Sequence, residues 1–218
     1  MTFEEVMSEL RSLESAENRA GMARFGINTD HALGVSVANL RAIGKHIKRK
    51  DHLLATQLWD TGIHEARILA SIVEEPAAVI EEQMDAWVRD FASWDLCDQC
   101  CGNLFWKTPY AWDKVVEWSE REREFEKRAA FSLMAYLTVH AKKAPDERFL
   151  ALLPIIKREA SDGRNFVKKA VNWALRQIGK RNSALRLAAI ETAREILAQG
   201  DGKSKWVASD ALRELGAS

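Results

Sequence analysis

With 218 residues, 47% hydrophobic content and a formal net charge of zero, the chain can bury a sizeable core and shows no overall bias toward a polyanion. Glycine (11) and proline (4) are scarce, and Ala/Leu/Glu/Lys/Arg-rich stretches run without alternating β-branched residues, so an all-α chain is expected. No stretch is apolar for the roughly 18 residues a membrane span needs, and the acidic start lacks a signal peptide's basic and apolar regions, so the expected location is cytoplasmic.

Zero net charge hides an uneven distribution. Residues 19–50 hold seven Lys/Arg against one Asp, residues 74–126 hold five against fourteen Asp/Glu, and residues 157–186 hold nine against two. A polyanion responds to local potential more than to the sum, so the two basic segments hint at a nucleic-acid partner, although a helical array also carries solvated charge for no such reason.

In chain order, the first strongly amphipathic stretch covers residues 65–73 and ends at Glu75-Pro76. The segment Phe91-Ala-Ser-Trp-Asp-Leu-Cys-Asp98 follows. Trp94 and Asp98 stand four residues apart, a spacing that puts an indole and a carboxylate on one helical face, while Asp95 is aimed elsewhere. Cys97, Cys100 and Cys101 crowd into one helical turn, an odd number that suits free thiols in a reducing compartment. They have no second cysteine pair and no nearby histidine in sequence, so no metal site is expected. Thr108-Pro109 breaks the pattern; helices then follow over residues 127–137, 165–178, 187–197 and 206–215, separated by Ala144-Pro-Asp146, Ser161-Asp-Gly163 and Gln199-Gly-Asp-Gly202.

Small residues recur in these helices where close approach is needed. The step from Arg128 to Lys169 is about 40 residues, the size of a HEAT or armadillo-type repeat, while the other intervals are irregular. The expected fold is therefore an α-solenoid of HEAT-like (armadillo-type) antiparallel helix pairs with a concave basic face, forming a single domain over residues 1–218. Such an array needs no partner to close it, so a monomer is expected, and it suits an extended ligand better than a small metabolite.

The chemistry-bearing candidates each have an ordinary structural alternative. A carboxylate beside an aromatic face can stabilise a developing cation, but Trp94 can equally be core and Asp98 a cap or ion-pair partner. Arg128 can grip a phosphate or pair with Glu124 one turn earlier. Trp173 lies among Lys168, Lys169 and Arg176, the aromatic and basic interleaving that nucleic-acid surfaces use, yet it also reads as core; Phe166, seven residues earlier, reads as packing. No HExxH pattern, GxSxG elbow or phosphate-binding glycine loop is present, which leaves metallohydrolase, serine-hydrolase and nucleotidase chemistry unsupported.

Across nearly its whole length the chain resembles the AlkD-type DNA alkylation repair enzymes, monofunctional glycosylases built from HEAT-like repeats. The resemblance runs from Gly21-Met-Ala-Arg-Phe-Gly-Ile27 and Leu33-Gly-Val35 onward. It is most specific at Ser93-Trp-Asp-Leu-Cys-Asp98, at Trp118-Ser119 leading to Lys127-Arg-Ala-Ala-Phe131, and at Phe166-Val-Lys-Lys-Ala-Val-Asn-Trp-Ala-Leu-Arg176. It implies that Asp98 is catalytic, that Trp94 and Trp173 hold the deoxyribose, that Arg128 contacts DNA, and that no metal or cofactor is needed. Phe166, Lys168, Lys169 and Arg176 are DNA-binding candidates beside them. The implied substrate is double-stranded DNA carrying N3- or N7-alkylated purines. Met22 departs from the family's tyrosine and Phe125 from its tryptophan. Some relatives with this fold bind damaged or branched DNA without excising bases, and that is the alternative function.

Overall fold

The computed structural model describes residues 1–47, 50–200 and 202–216. Among them every regular element is helical, and no helix is long and apolar enough to cross a membrane. Within the span expected to be one domain, the chain packs as two units, Met1–Thr108 and Pro109–Ser218.

The first unit contains α1 (Phe3–Ser12), α2 (Ala16–Arg24), α3 (Val37–His46), α4 (His52–Asp60), α5 (His64–Val73), α6 (Glu81–Arg89) and α7 (Trp94–Asn103), followed by a single 3-10 turn. Side-chain caps fix several starts. Thr2 and Glu5 form a reciprocal capping box at α1, and Ser15, Ser36 and Asp51 each accept from a first-turn amide of α2, α3 and α4. The central helix is α5, which packs against α3, α4 and α7 and buries nearly all of its residues. Its alanines Ala66 and Ala70 let these neighbours approach. The same unit holds an aromatic cluster in which Trp59 and Trp87 stack with ring centroids 3.9 Å apart, flanked by Phe91 and Phe105.

Glu65 is the buried polar centre of this unit. Its carboxylate accepts from the amides of Leu33 and Gly34, each at 2.7 Å, and of Val35 at 3.3 Å. The Leu33-Gly-Val35 segment is thereby held against α5. The same segment seats α2: Leu33 O accepts from Ser15 N, and Gly34 O from Asn18 Nδ2. Gly34 has a φ of 81°, and a Cβ there would lie 2.2 Å from Ser15 O, so only glycine fits. α2 itself buries no residue, so these polar ties, rather than an apolar face, locate it.

The second unit contains α8 (Ala111–Ser119), α9 (Glu124–His140), α10 (Asp146–Leu150), α11 (Leu153–Glu159), α12 (Asn165–Arg181), α13 (Ser183–Ala198) and α14 (Gly202–Glu214). Here α9, α12 and α14 form one row, backed by α8, α11 and α13. Ala129, Ala130 and Ala135 of α9 and Ala170 and Ala174 of α12 are fully buried, consistent with close helix packing.

Residue pairings expose the repeat more plainly than the sequence does. In the first unit α5 and α7 are joined by His64 to Asp95 and Ser71 to Asn103, separations of 31 and 32 residues. In the second, Arg128 to Phe166 and Thr138 to Arg181 join α9 and α12 at 38 and 43, while Asn172 to Val207 and Arg176 to Glu214 join α12 and α14 at 35 and 38. Both partners advance together in every case, so the joined helices run parallel, as equivalent helices of stacked repeats must. The interval drifts because loop lengths vary, which is why one repeat length does not run through the sequence.

Candidate functional site

The Trp94/Asp98 pair belongs to the first unit. Ser93 is extended and α7 begins at Trp94, so Asp98 follows one turn later on the same helix, and both side chains are half-buried. The Trp94 indole donates its Nε1 proton to Phe25 O at 3.0 Å, at the carboxyl end of α2. That bond orients the ring across a sequence separation of 69 residues. Met22, one turn back in α2, is half-buried.

Asp95 points away from this pair, as the spacing predicts, into a polar contact that the sequence does not disclose. His64 Nε2 lies 2.8 Å from its Oδ2, and Ser93 Oγ donates to its Oδ1 at 2.7 Å. Burial pushes the Asp95 carboxyl up, but the hydrogen bond and charge of His64, with the bond from Ser93, outweigh it and hold the group below its usual range. This contact ties the first turn of α7 to the first turn of α5 and so fixes the helix that carries Trp94 and Asp98.

All three cysteines of α7 are buried free thiols. Burial is the main cause that pushes Cys100 and Cys101 well above the ordinary thiol range, with neighbouring Cys97 adding to it. They are poor nucleophiles in that state. Among the described residues, no three His, Cys, Asp or Glu side chains are grouped to hold a metal ion.

The remaining candidates belong to the second unit. Arg128, on the first turns of α9, is only 6% exposed and donates from Nη1 to Phe166 O at 2.6 Å. Phe166 also packs on Phe125 with ring centroids 5.6 Å apart, while its amide meets Glu124 Oε1. Phe125 thus fills the aromatic position before Arg128 despite not being tryptophan. Trp173 is half-buried, its ring edge-to-face with Tyr136 at 5.2 Å, and Tyr136 in turn stacks on His140 at 6.1 Å. Tyr136 escaped the sequence reading; its only signal is that it continues the row of every fourth residue from Arg128 through Ser132.

The basic residues of α12 differ in fate. Lys169 is exposed, and the Lys168 ammonium lies 5.2 Å over the Trp206 ring. Arg176 bonds Glu214 and approaches Asp210, and Lys180 also bonds Glu214. The Glu214 carboxyl is accordingly held below its usual range by Lys180 and Arg176. Elsewhere in the basic segment Lys157 pairs with Glu195, Arg158 with Glu159 and Arg164 with Asp162. Among the described residues Lys168, Lys169, Arg181 and Arg186 of this segment have no ion pair, Arg181 donating instead to the backbone carbonyls of Thr138, Ala141, Lys142 and Ala144. Carboxylates therefore pair with five of the nine cations of this basic segment, and Glu195 and Glu214 reach them from more than 30 residues away.

Residues 6–215 match the family of DNA alkylation repair enzymes. The chain belongs to that family. A solved structure described as "a new family of proteins related to the HEAT-like repeat DNA glycosylases with affinity for branched DNA structures" is similar to it, at a TM-score of 0.80 and 23% identity over 90% of this chain and 83% of that one. The fold of this DNA alkylation repair family member is thus the HEAT-like helical repeat, in agreement with the all-α solenoid expected from the sequence. No curated protein matches it significantly.

Proposed function

We propose that the protein is a monofunctional DNA glycosylase that hydrolyses the N-glycosidic bond to cationic N3- or N7-alkylated purines in duplex DNA. The observation that carries the reading is the half-buried Trp94/Asp98 pair on α7, with its indole anchored on Phe25 O.

The chemistry suits those groups. An N3- or N7-alkylated purine is already cationic and leaves as a neutral base, so the reaction asks little of a general acid. As the bond breaks, positive charge passes to the deoxyribose, which acquires oxocarbenium character. The carboxylate of Asp98 stabilises that charge and takes the proton of the attacking water. Within the first unit the indole face of Trp94 gives the sugar an apolar and cation–π contact; within the second, Trp173 is assigned to deoxyribose contact and Arg128, largely buried and held by Phe166 O, to the DNA backbone. Phe166, Lys168, Lys169 and Arg176 support backbone contact, Lys169 most directly because it is exposed and Arg176 least because Glu214 already engages it.

A non-catalytic reading, binding of damaged or branched DNA, is favoured by the similar solved structure whose family is described as having affinity for branched DNA. The retained Asp98 favours the enzyme. Incubation with DNA containing N7-methylguanine separates the two: the glycosylase releases free base and Asp98→Asn loses that release, whereas the binder retains DNA with no base set free.

A further inference from the structure

The proposed function makes no use of Trp206 on α14. Among the described residues it is the most exposed of the eight tryptophans, with 42% of its surface open to solvent. An indole left partly open presents a flat π face on which a ligand can stack. The surroundings narrow the choice. Lys168 lies over the ring at 5.2 Å, Lys203 rests against Gly163 just before α12, and Lys205 is exposed beside the tryptophan.

The seam between α12 and α14 is electrostatically graded. At its carboxyl end Arg176 and Lys180 are matched by Asp210 and Glu214. At its amino end, around Trp206, the ion pairs of this seam among the described residues involve neither Lys168 nor Lys205. An apolar protein surface on Trp206 would strip water from the Lys168 ammonium with nothing in return. A nucleotide serves both groups, since it offers a flat base to the ring and a phosphate to the lysine, whose flexible stem can carry the charge from one to the other. The base must be unpaired, because within a duplex its faces are covered by stacked neighbours.

We propose that Trp206 and Lys168 form a subsite for an unpaired nucleotide of a single-stranded DNA arm, with the indole stacked on the base and the ammonium on the adjacent phosphate. The inference rests on the DNA-binding reading above, extends it to substrates with a single-stranded branch, and is independent of catalysis at Asp98.

The test compares two labelled DNAs at low salt by fluorescence anisotropy: a blunt duplex, and the same duplex carrying an oligo(dT) arm of about ten nucleotides. The wild type is expected to bind the armed DNA about tenfold more tightly than the blunt one, in line with one base stacked on an aromatic side chain. Trp206→Ala removes that advantage and leaves blunt-duplex affinity unchanged, Trp206→Phe keeps most of it, and Lys168→Gln loses part of it with a shallower salt dependence. Equal wild-type affinity for the two DNAs, or an arm advantage that survives Trp206→Ala, overturns this inference alone. Absence of binding to either DNA overturns the DNA-binding reading on which it rests.

Discussion

Replacing Glu65 tests whether a buried carboxylate, rather than apolar packing, holds the amino-terminal helices in place. The residue is 1% exposed and its two oxygens receive three backbone amides, from Leu33, Gly34 and Val35. A hydrogen bond to a charged group contributes about 1.5–3 kcal/mol, and a buried amide left without a partner costs about 1–3 kcal/mol. Glu65→Ala orphans all three donors at once. With partial rehydration of the loop, a loss of about 3–5 kcal/mol is expected. Glu65→Gln keeps the shape but replaces one acceptor oxygen by an NH2 group that faces a donor, for a loss of about 2–3 kcal/mol. A protein of this length loses about 2–4 °C of Tm per kcal/mol, so the alanine variant should melt about 10 °C lower by circular dichroism, with the glutamine variant between it and wild type. The effect reaches the candidate site, because the loop that Glu65 holds seats α2, and Phe25 at the end of α2 accepts the Trp94 indole proton. Either variant remaining within about 1 kcal/mol of wild type in urea titrations would refute the clamp.

Other consequences follow from particular contacts. Gly34→Ala places a Cβ 2.2 Å from Ser15 O at a φ of 81°, so a loss of about 2–4 kcal/mol is expected, and an unchanged urea midpoint would contradict it. Asp95→Asn should destabilise by about 1–3 kcal/mol at neutral pH by weakening the contacts with His64 and Ser93. Because the native Asp95 carboxyl is held below its unfolded value, its contribution is present above about pH 4 and fades as the pH falls through the native value; a stability gap between variant and wild type that widened toward pH 3 would refute that assignment. The buried Cys97, Cys100 and Cys101 should react with an aromatic disulfide reagent only after denaturant is added, and rapid reaction of the native protein would contradict their burial.

Much of the fold was legible in the sequence because helices announce themselves locally. The amphipathic stretch over residues 65–73 became α5, and Ala144-Pro-Asp146 and Ser161-Asp-Gly163 marked real breaks before α10 and α12. Trp94 and Asp98 fell on one helix with Asp95 turned away, since four-residue spacing is a property of the helix itself. What stayed hidden depends on partners brought together by stacking. The three amides on Glu65, the ring of Tyr136 against Trp173, and the neutralisation of Arg176 by Glu214 join residues 30 to 38 positions apart, and no local pattern encodes them. The basic count over residues 157–186 overstates the unpaired charge for the same reason: charge read along the chain omits the carboxylates that the next helix supplies.

The central claim is that Asp98 turns a helical-repeat DNA-binding protein into a base-excision enzyme. Its most direct test is release of free N7-methylguanine from alkylated duplex DNA by purified wild type and by Asp98→Asn, with equal folding shown by circular dichroism. The account predicts release by the wild type and a fall of at least about 100-fold in the variant, the order expected when an electrostatic stabiliser of a transition-state charge is removed, with DNA affinity retained. No release by the wild type, or equal release by both proteins, would contradict it.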